Sequence, residues 1–107
     1  ELRIVSISAD KIEELTSKYP YYTSFDIAKD VYGTDSDATT VAVQAMVIVS
    51  KTMPDDQVYE ITKALFENLD VLAGTHARGA DVTLETALNG MSIDVHPGAQ
   101  RYYDEVQ

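Results

Sequence analysis

The sequence predicts an α/β fold, a mixed sheet with flanking helices, on three observations. Residues 40–50 read TVAVQAMVIVS, with apolar side chains on both alternating sets: Val41, Val43, Ala45, Val47 and Val49 against Ala42, Met46 and Ile48. That is the pattern of a strand covered on both faces, and its β-branched content opposes a helix. PDDQVYEITKALFENL follows from Pro54 and carries a helical apolar stripe. Two shorter strand patterns precede both, separated by another helical stretch. At about 3.3 Å per residue the long strand would extend roughly 35 Å, well past an ordinary strand of about five or six residues, which suits service to two layers or two domains.

In chain order, LRIVSI (residues 2–7) reads as a short strand entered without a preceding turn, as if the sequence began inside a fold. Ser8 or Asp10 then caps a helix, with Glu13 three residues after Asp10, and Ile12, Leu15 and Tyr19 form its apolar stripe. Pro20 ends it, because the residue before a proline is pushed out of helical geometry. Phe25 and Ile27 alternate with Ser24 and Asp26 as a half-buried strand. DVYGTDSDAT (residues 30–39) is a polar loop with Gly33 as its turn residue.

After the long strand, Pro54 stands as the first helical residue, with Asp55 and Asp56 in the positive first turn. Val58, Ile61, Leu65, Leu69 and Leu72 make the buried face, and Gly74 suits a left-handed C-terminal cap. Thr83 caps a short helix over residues 84–88 that Asn89-Gly90 closes. Ile93 and Val95 suggest an extended passage, and Pro97 starts a last helix through Tyr102 and Tyr103.

The length of 107 residues suits one domain with a modest core, and the composition, 45% hydrophobic, is that of a folded chain. The formal net charge of −10 repels nucleic acid and anionic lipid, and the basic residues are scattered, so nucleic-acid binding is disfavoured. No cysteine is present, which removes disulfides and thiol chemistry. The longest apolar run, residues 41–49, is interrupted by Gln44 and falls far short of the roughly 20 residues of a membrane span.

Catalytic chemistry finds little purchase. His76 and His96 lie twenty residues apart without a metal-binding spacing, so two ordinary surface or capping histidines are expected and no metal. Asp30, Asp35 and Asp37 lack the calcium-loop order, and no serine sits in a G-x-S-x-G elbow. Asp55-Asp56 is explained by the helix dipole. No enzyme, catalytic residue or cofactor is expected. Tyr21-Tyr22 and Tyr102-Tyr103 can stack on a ligand or cover the core with a wet hydroxyl, the commoner role. Thr39 and Thr40 are ordinary strand residues or ligand contacts. Gln44, inside an apolar run, needs partners for its amide as a packing contact or a cleft-facing donor.

KYPYY, TVAVQAMVIVS, MPDDQVYEITKALFENLD and TLETALNGMSIDVHPGAQRYYDE follow in that order and spacing. Together they resemble the C-terminal part of the TAXI family of solute-binding proteins from TRAP transporters. The most specific pieces are the helix from Pro54 and the H-P-G-A-x-x-Y-Y ending from His96. The resemblance covers essentially all of this chain but only about the last third of a family member. It departs at DVYGTDSDAT, where the family commonly has a proline- and glycine-bearing loop.

The resemblance implies the C-terminal portion of a two-lobed periplasmic-binding-protein-like fold. Residues 1–24 would end the second lobe with a strand and a helix, residues 25–50 would cross the hinge, and residues 51–107 would pack helices on the first lobe. It also implies a periplasmic or extracytoplasmic protein that captures a small solute, a dicarboxylate or acidic amino acid, and delivers it to membrane permease subunits. Tyr22, Thr39, Thr40 and Gln44, near the implied hinge and cleft, are the expected ligand-binding residues; an anionic ligand needs donors, which hydroxyls and backbone N–H groups provide. The competing expectation is a self-contained acidic interaction or oligomerisation module without a small-molecule ligand, and a severed fragment is expected to self-associate through exposed apolar faces.

Overall fold

The computed structural model describes residues 2–107, and its architecture is mixed α/β. The chain forms two units, Glu1–Met46 with Asn89–Ser92, and Val47–Leu88 with Ile93–Gln107.

The first unit is built on a two-stranded antiparallel ribbon, β1 (Tyr22–Ile27) with β2 (Ala38–Val43), whose register runs from Tyr22 opposite Val43 to Ile27 opposite Ala38. Helix α1 (Ala9–Lys18) precedes β1 and buries Ile12 of the expected stripe. Ser8 is its N-cap residue by position, but its side chain makes no capping bond. The helix stops at Tyr19, ahead of Pro20 as the proline requires.

The expected polar loop after β1 opens instead with one helical turn, α2 (Lys29–Tyr32). Gly33 follows with φ of 66°, the left-handed position that glycine fills without steric cost. Lys29 N–H donates to Asp37 Oδ1 at 2.8 Å, so an acidic side chain of the loop ties its start to its end.

Two strand expectations are corrected here. Residues 2–7 form no strand, because a strand needs a ladder and among the described residues they make a single backbone bond to β2: Ile7 N–H donates to Thr39 O at 2.9 Å, while Thr39 N–H turns to Ser6 Oγ at 3.1 Å. The long strand over residues 40–50 is confined to β2, which ends at Val43. It is not covered on both faces either, since Val43, Val47 and Ile48 are 63%, 75% and 71% exposed. Strand propensity reaches beyond Val43, but β1 supplies six partners and, among the described residues, no further strand pairs there.

The second unit is helical. Helix α3 (Asp55–Phe66) begins one residue later than expected, with Pro54 as its N-cap and Asp55 and Asp56 in its first turn. It buries Val58 and Thr62, the Thr62 hydroxyl donating back to Val58 O at 2.8 Å, whereas Ile61 of the expected face is exposed. The chain breaks at Glu67 and Asn68, so Leu69 and Leu72 belong to a separate helix, α4 (Leu69–Thr75). Gly74 lies inside α4 without positive φ and is not a left-handed cap. A 3-10 helix (Ala77–Asp81) follows, capped by His76 Nδ1, which accepts from Arg78 N–H at 3.1 Å.

Residues 84–88 form turns rather than the expected helix; Thr83 Oγ1 still accepts from Thr86 N–H at 3.3 Å, a cap with no helix behind it. Residues 93–95 form no strand. Helix α5 (Pro97–Val106) starts where Pro97 placed it. His96 caps it by accepting Gly98 N–H on Nδ1 at 3.1 Å.

The core of this unit is aromatic and lies between α3 and α5. Tyr102 and Tyr103 are buried, and Phe66 stacks on Tyr102 and meets Tyr103 edge-on, with ring centroids 6.0 and 5.7 Å apart. At the rim Arg101 lies 4.1 Å from the Tyr59 ring centroid and donates to Asp56 Oδ1 at 2.9 Å. Tyr59 in turn donates its hydroxyl to Glu105 at 2.6 Å. Each helix holds the other by a ring and a charge at once.

Candidate functional site

The register of the ribbon decides which expected ligand residues can act together. Residues opposite one another on antiparallel strands share a face, and neighbours along a strand alternate. Tyr22, Ser24, Val41 and Thr39 therefore stand on one face, and Thr23, Phe25, Ala42 and Thr40 on the other. Gln44, just past β2, joins the second face, where its Nε2 donates to Thr23 Oγ1 at 3.0 Å and that hydroxyl donates to Ala42 O at 3.4 Å. The structure thus puts Thr39 and Tyr22 on one face and Thr40 and Gln44 on the other, the members of each pair standing four positions apart along the ribbon.

Thr39 lies in a groove between α1 and the ribbon, an open depression of about 380 Å³ whose polar lining is Ser6, Glu13, Thr16, Ser24 and Thr39. Ile7 and Ile12 supply its apolar floor. Two of its hydroxyls are engaged: Thr16 donates to Ile12 O at 3.0 Å, and Ser6 Oγ receives Thr39 N–H. Among the described residues the Ser24 and Thr39 hydroxyls make no such bond. Glu13 is the one carboxylate. A surface of this kind donates to an anionic group through hydroxyls and accepts an ammonium through Glu13.

Tyr22 takes part in a different arrangement. Its ring lies 4.8 Å from that of Tyr21 and edge-on to Tyr19 at 6.2 Å, with Lys18 Nζ 5.4 Å from the Tyr19 ring centroid. Three rings thus gather where α1 hands over to β1, and their mutual contacts occupy much of the Tyr22 surface.

Sequence reasoning missed Thr23, Ser24 and Glu13. Serine and threonine in a strand carry no signal of their own, and only the register places Ser24 beside Thr39 and Thr23 beside Gln44. A second depression, about 460 Å³, is lined by Leu2, Arg3, Ile4, Thr34, Asp35 and Ser36, with one charge of each sign. Among the described residues no group of three or more histidine, aspartate or glutamate side chains is placed to hold a metal ion.

A family model described as NMT1-like family matches residues 1–106, nearly the whole chain. The chain belongs to the NMT1-like family. This is a family of periplasmic solute-binding proteins, so the binding of a small molecule comes with membership. NMT1-like proteins are typically extracytoplasmic, and none of the described helices is long and apolar enough to cross a membrane.

Proposed function

We propose that this chain is part of the solute-binding component of a TRAP transporter, of the TAXI kind, which captures a small organic acid or acidic amino acid outside the cytoplasm and hands it to membrane permease subunits. The observation that carries the reading is the NMT1-like match across residues 1–106, which supplies solute binding; the TAXI-like P-D-D-x-x-Y-x-I-T-K helix and H-P-G-A-x-x-Y-Y ending supply the finer assignment. Residues 1–24 and 51–107 belong to two lobes in this reading, with residues 25–50 crossing the hinge. Capture and release need no catalytic residue and no cofactor.

Thr39 and Tyr22 on one face of the ribbon, or Thr40 and Gln44 on the other, are the proposed solute contacts. The hydroxyls of Ser24 and Thr39 support the first pair, since a carboxylate wants donors, and Glu13 beside them suits the ammonium of an amino acid. The deciding experiment is thermal denaturation of the full-length protein against a panel of dicarboxylates and acidic amino acids. A ligand at about a hundred times its Kd stabilises by about 2.7 kcal/mol, a readily measured shift. A full-length protein indifferent to the whole panel overturns the substrate class.

A second reading has one observation in its favour. Val47 and Ile48, neighbours in the second unit, are 75% and 71% exposed although their side chains are apolar, which suits a surface made to be covered. An acidic interaction module without a small-molecule ligand would use it for self-association. Sedimentation separates the two: a monomer across a wide concentration range removes the module reading.

A further inference from the structure

The chain contains two asparagines, Asn68 and Asn89, both exposed, and they differ in the following residue and in the hydrogen bonding of the side-chain amide, two features that govern spontaneous attack by the backbone. Asn89 is exposed and is followed by Gly90, at the end of the turns over residues 84–90. Gly90 has no Cβ to hinder approach to its nitrogen, and among the described residues its N–H donates to no acceptor. The Asn89 amide likewise makes no hydrogen bond within the described residues. Asn68, in contrast, donates its Nδ2 to Ala64 O at 2.8 Å and is followed by Leu69, the first residue of α4.

We propose that Asn89-Gly90 is a self-modification site at which the asparagine converts to isoaspartate and aspartate, and that this conversion unseats residues 89–92 from the β ribbon. The deprotonated Gly90 nitrogen attacks Asn89 Cγ. A new N–Cγ bond forms, the Cγ–Nδ2 bond breaks, and Nδ2 leaves as ammonia with a proton from solvent, giving a five-membered succinimide. Water then adds to one of the two imide carbonyls. Opening at the original main-chain carbonyl carries the backbone through Cβ and Cγ as isoaspartate; opening at Cγ gives aspartate. Water is the only co-reactant, and nothing is oxidised or reduced.

The consequence for the fold follows from where Gly90 sits. It adopts φ of 71°, and a Cβ built on it would lie 3.0 Å from Thr23 Cγ2 and 3.4 Å from Gln44 Cγ. Gly90 therefore sits beside the two side chains that the Gln44 to Thr23 hydrogen bond joins, with little room for a side chain of its own. Isoaspartate lengthens the main chain by one methylene immediately before this contact and adds a carboxylate to an already acidic chain. Both changes push Gly90 off Thr23 and Gln44.

The test is incubation of the whole chain at mildly alkaline pH, followed by peptide mapping with a mass readout and enzymatic detection of isoaspartate. The expected result is conversion at Asn89 roughly tenfold or more faster than at Asn68, with isoaspartate among the products. Hydrogen exchange on the converted protein is expected to quicken at Thr23 and Gln44, and the Asn89→Gln variant is expected to stay unmodified and unchanged in exchange. Equal rates at the two asparagines overturn the proposal. So does a folded-state rate at Asn89 more than about tenfold below that of the same chain in urea, which would mean the turn protects the amide. If Asn89 converts but exchange at Thr23 and Gln44 is unaltered, the unseating is overturned.

Discussion

Gly98 of α5 lies directly against the Asp55 carbonyl of α3. A Cβ at Gly98 would overlap that oxygen and stand 3.0 Å from both Asp55 C and Tyr59 N, all of them backbone atoms that cannot turn aside. This contact lets the start of α5 approach the start of α3 closely enough for Arg101 to reach both Tyr59 and Asp56. Gly98→Ala is expected to lower stability by about 1–3 kcal/mol, the usual cost of overpacking, read from urea denaturation. A substitution without effect would mean the two helices are free to separate at this end.

Gly74 is the matched opposite. It sits inside α4 with ordinary backbone geometry, and a Cβ there would meet nothing within 4 Å. Gly74→Ala is therefore expected to stabilise by about 0.5–1 kcal/mol, because alanine loses less backbone freedom on joining a helix. A left-handed cap would give the reverse sign, so one denaturation curve distinguishes the two geometries.

These glycines show what could be read from sequence and what could not. The starts of α3 and α5 were legible because Pro54, Asp55, Asp56 and Pro97 act locally, through fixed φ and the helix dipole. The end of α1 at Pro20 is equally local. The end of β2 was not legible, since the apolar run continues to Val49 while pairing stops where β1 stops, a fact about a distant segment. Gly74 as helix interior rather than cap depends on the break at Glu67 and Asn68, which no residue pattern announces. The candidate ligand residues were chosen by polarity and position alone. Their division between two faces needed the register.

That division makes a prediction about solute binding by the full-length protein. A small solute lying on one face of the ribbon contacts Thr39 or Thr40 directly, but not both. Thr39→Val and Thr40→Val keep the side-chain shape and the strand while removing one hydroxyl each. One of them is expected to weaken binding by about threefold to tenfold, the worth of one hydrogen bond, and the other to leave it unchanged. Calorimetric titration with the solute found by thermal shift reads the difference. Equal losses from both substitutions would contradict a one-face site.

The buried tyrosine of α5 sets the response to alkali. Burial, and then the neighbouring Tyr102, hold the Tyr103 phenol above the ordinary tyrosine range, because the anion is poorly solvated between the helices. Tyr59 is displaced the same way, chiefly by its hydrogen bond to Glu105, but it is only half-buried, and solvent screening leaves it little effect on stability. Arg101 beside Asp56 is held in its charged form. For Tyr103 the folded state keeps its proton where the unfolded chain, titrating near pH 10, has begun to lose it. Its contribution is thus fully present below about pH 10 and is lost as pH rises through the higher folded value. Urea denaturation in steps across that window is expected to show stability falling, and Tyr103→Phe, which has no proton to lose, to fall less. If the variant and the parent lose stability in parallel, the alkaline transition belongs to other groups and the phenol is not confined as the packing of Phe66 and Tyr102 around it requires.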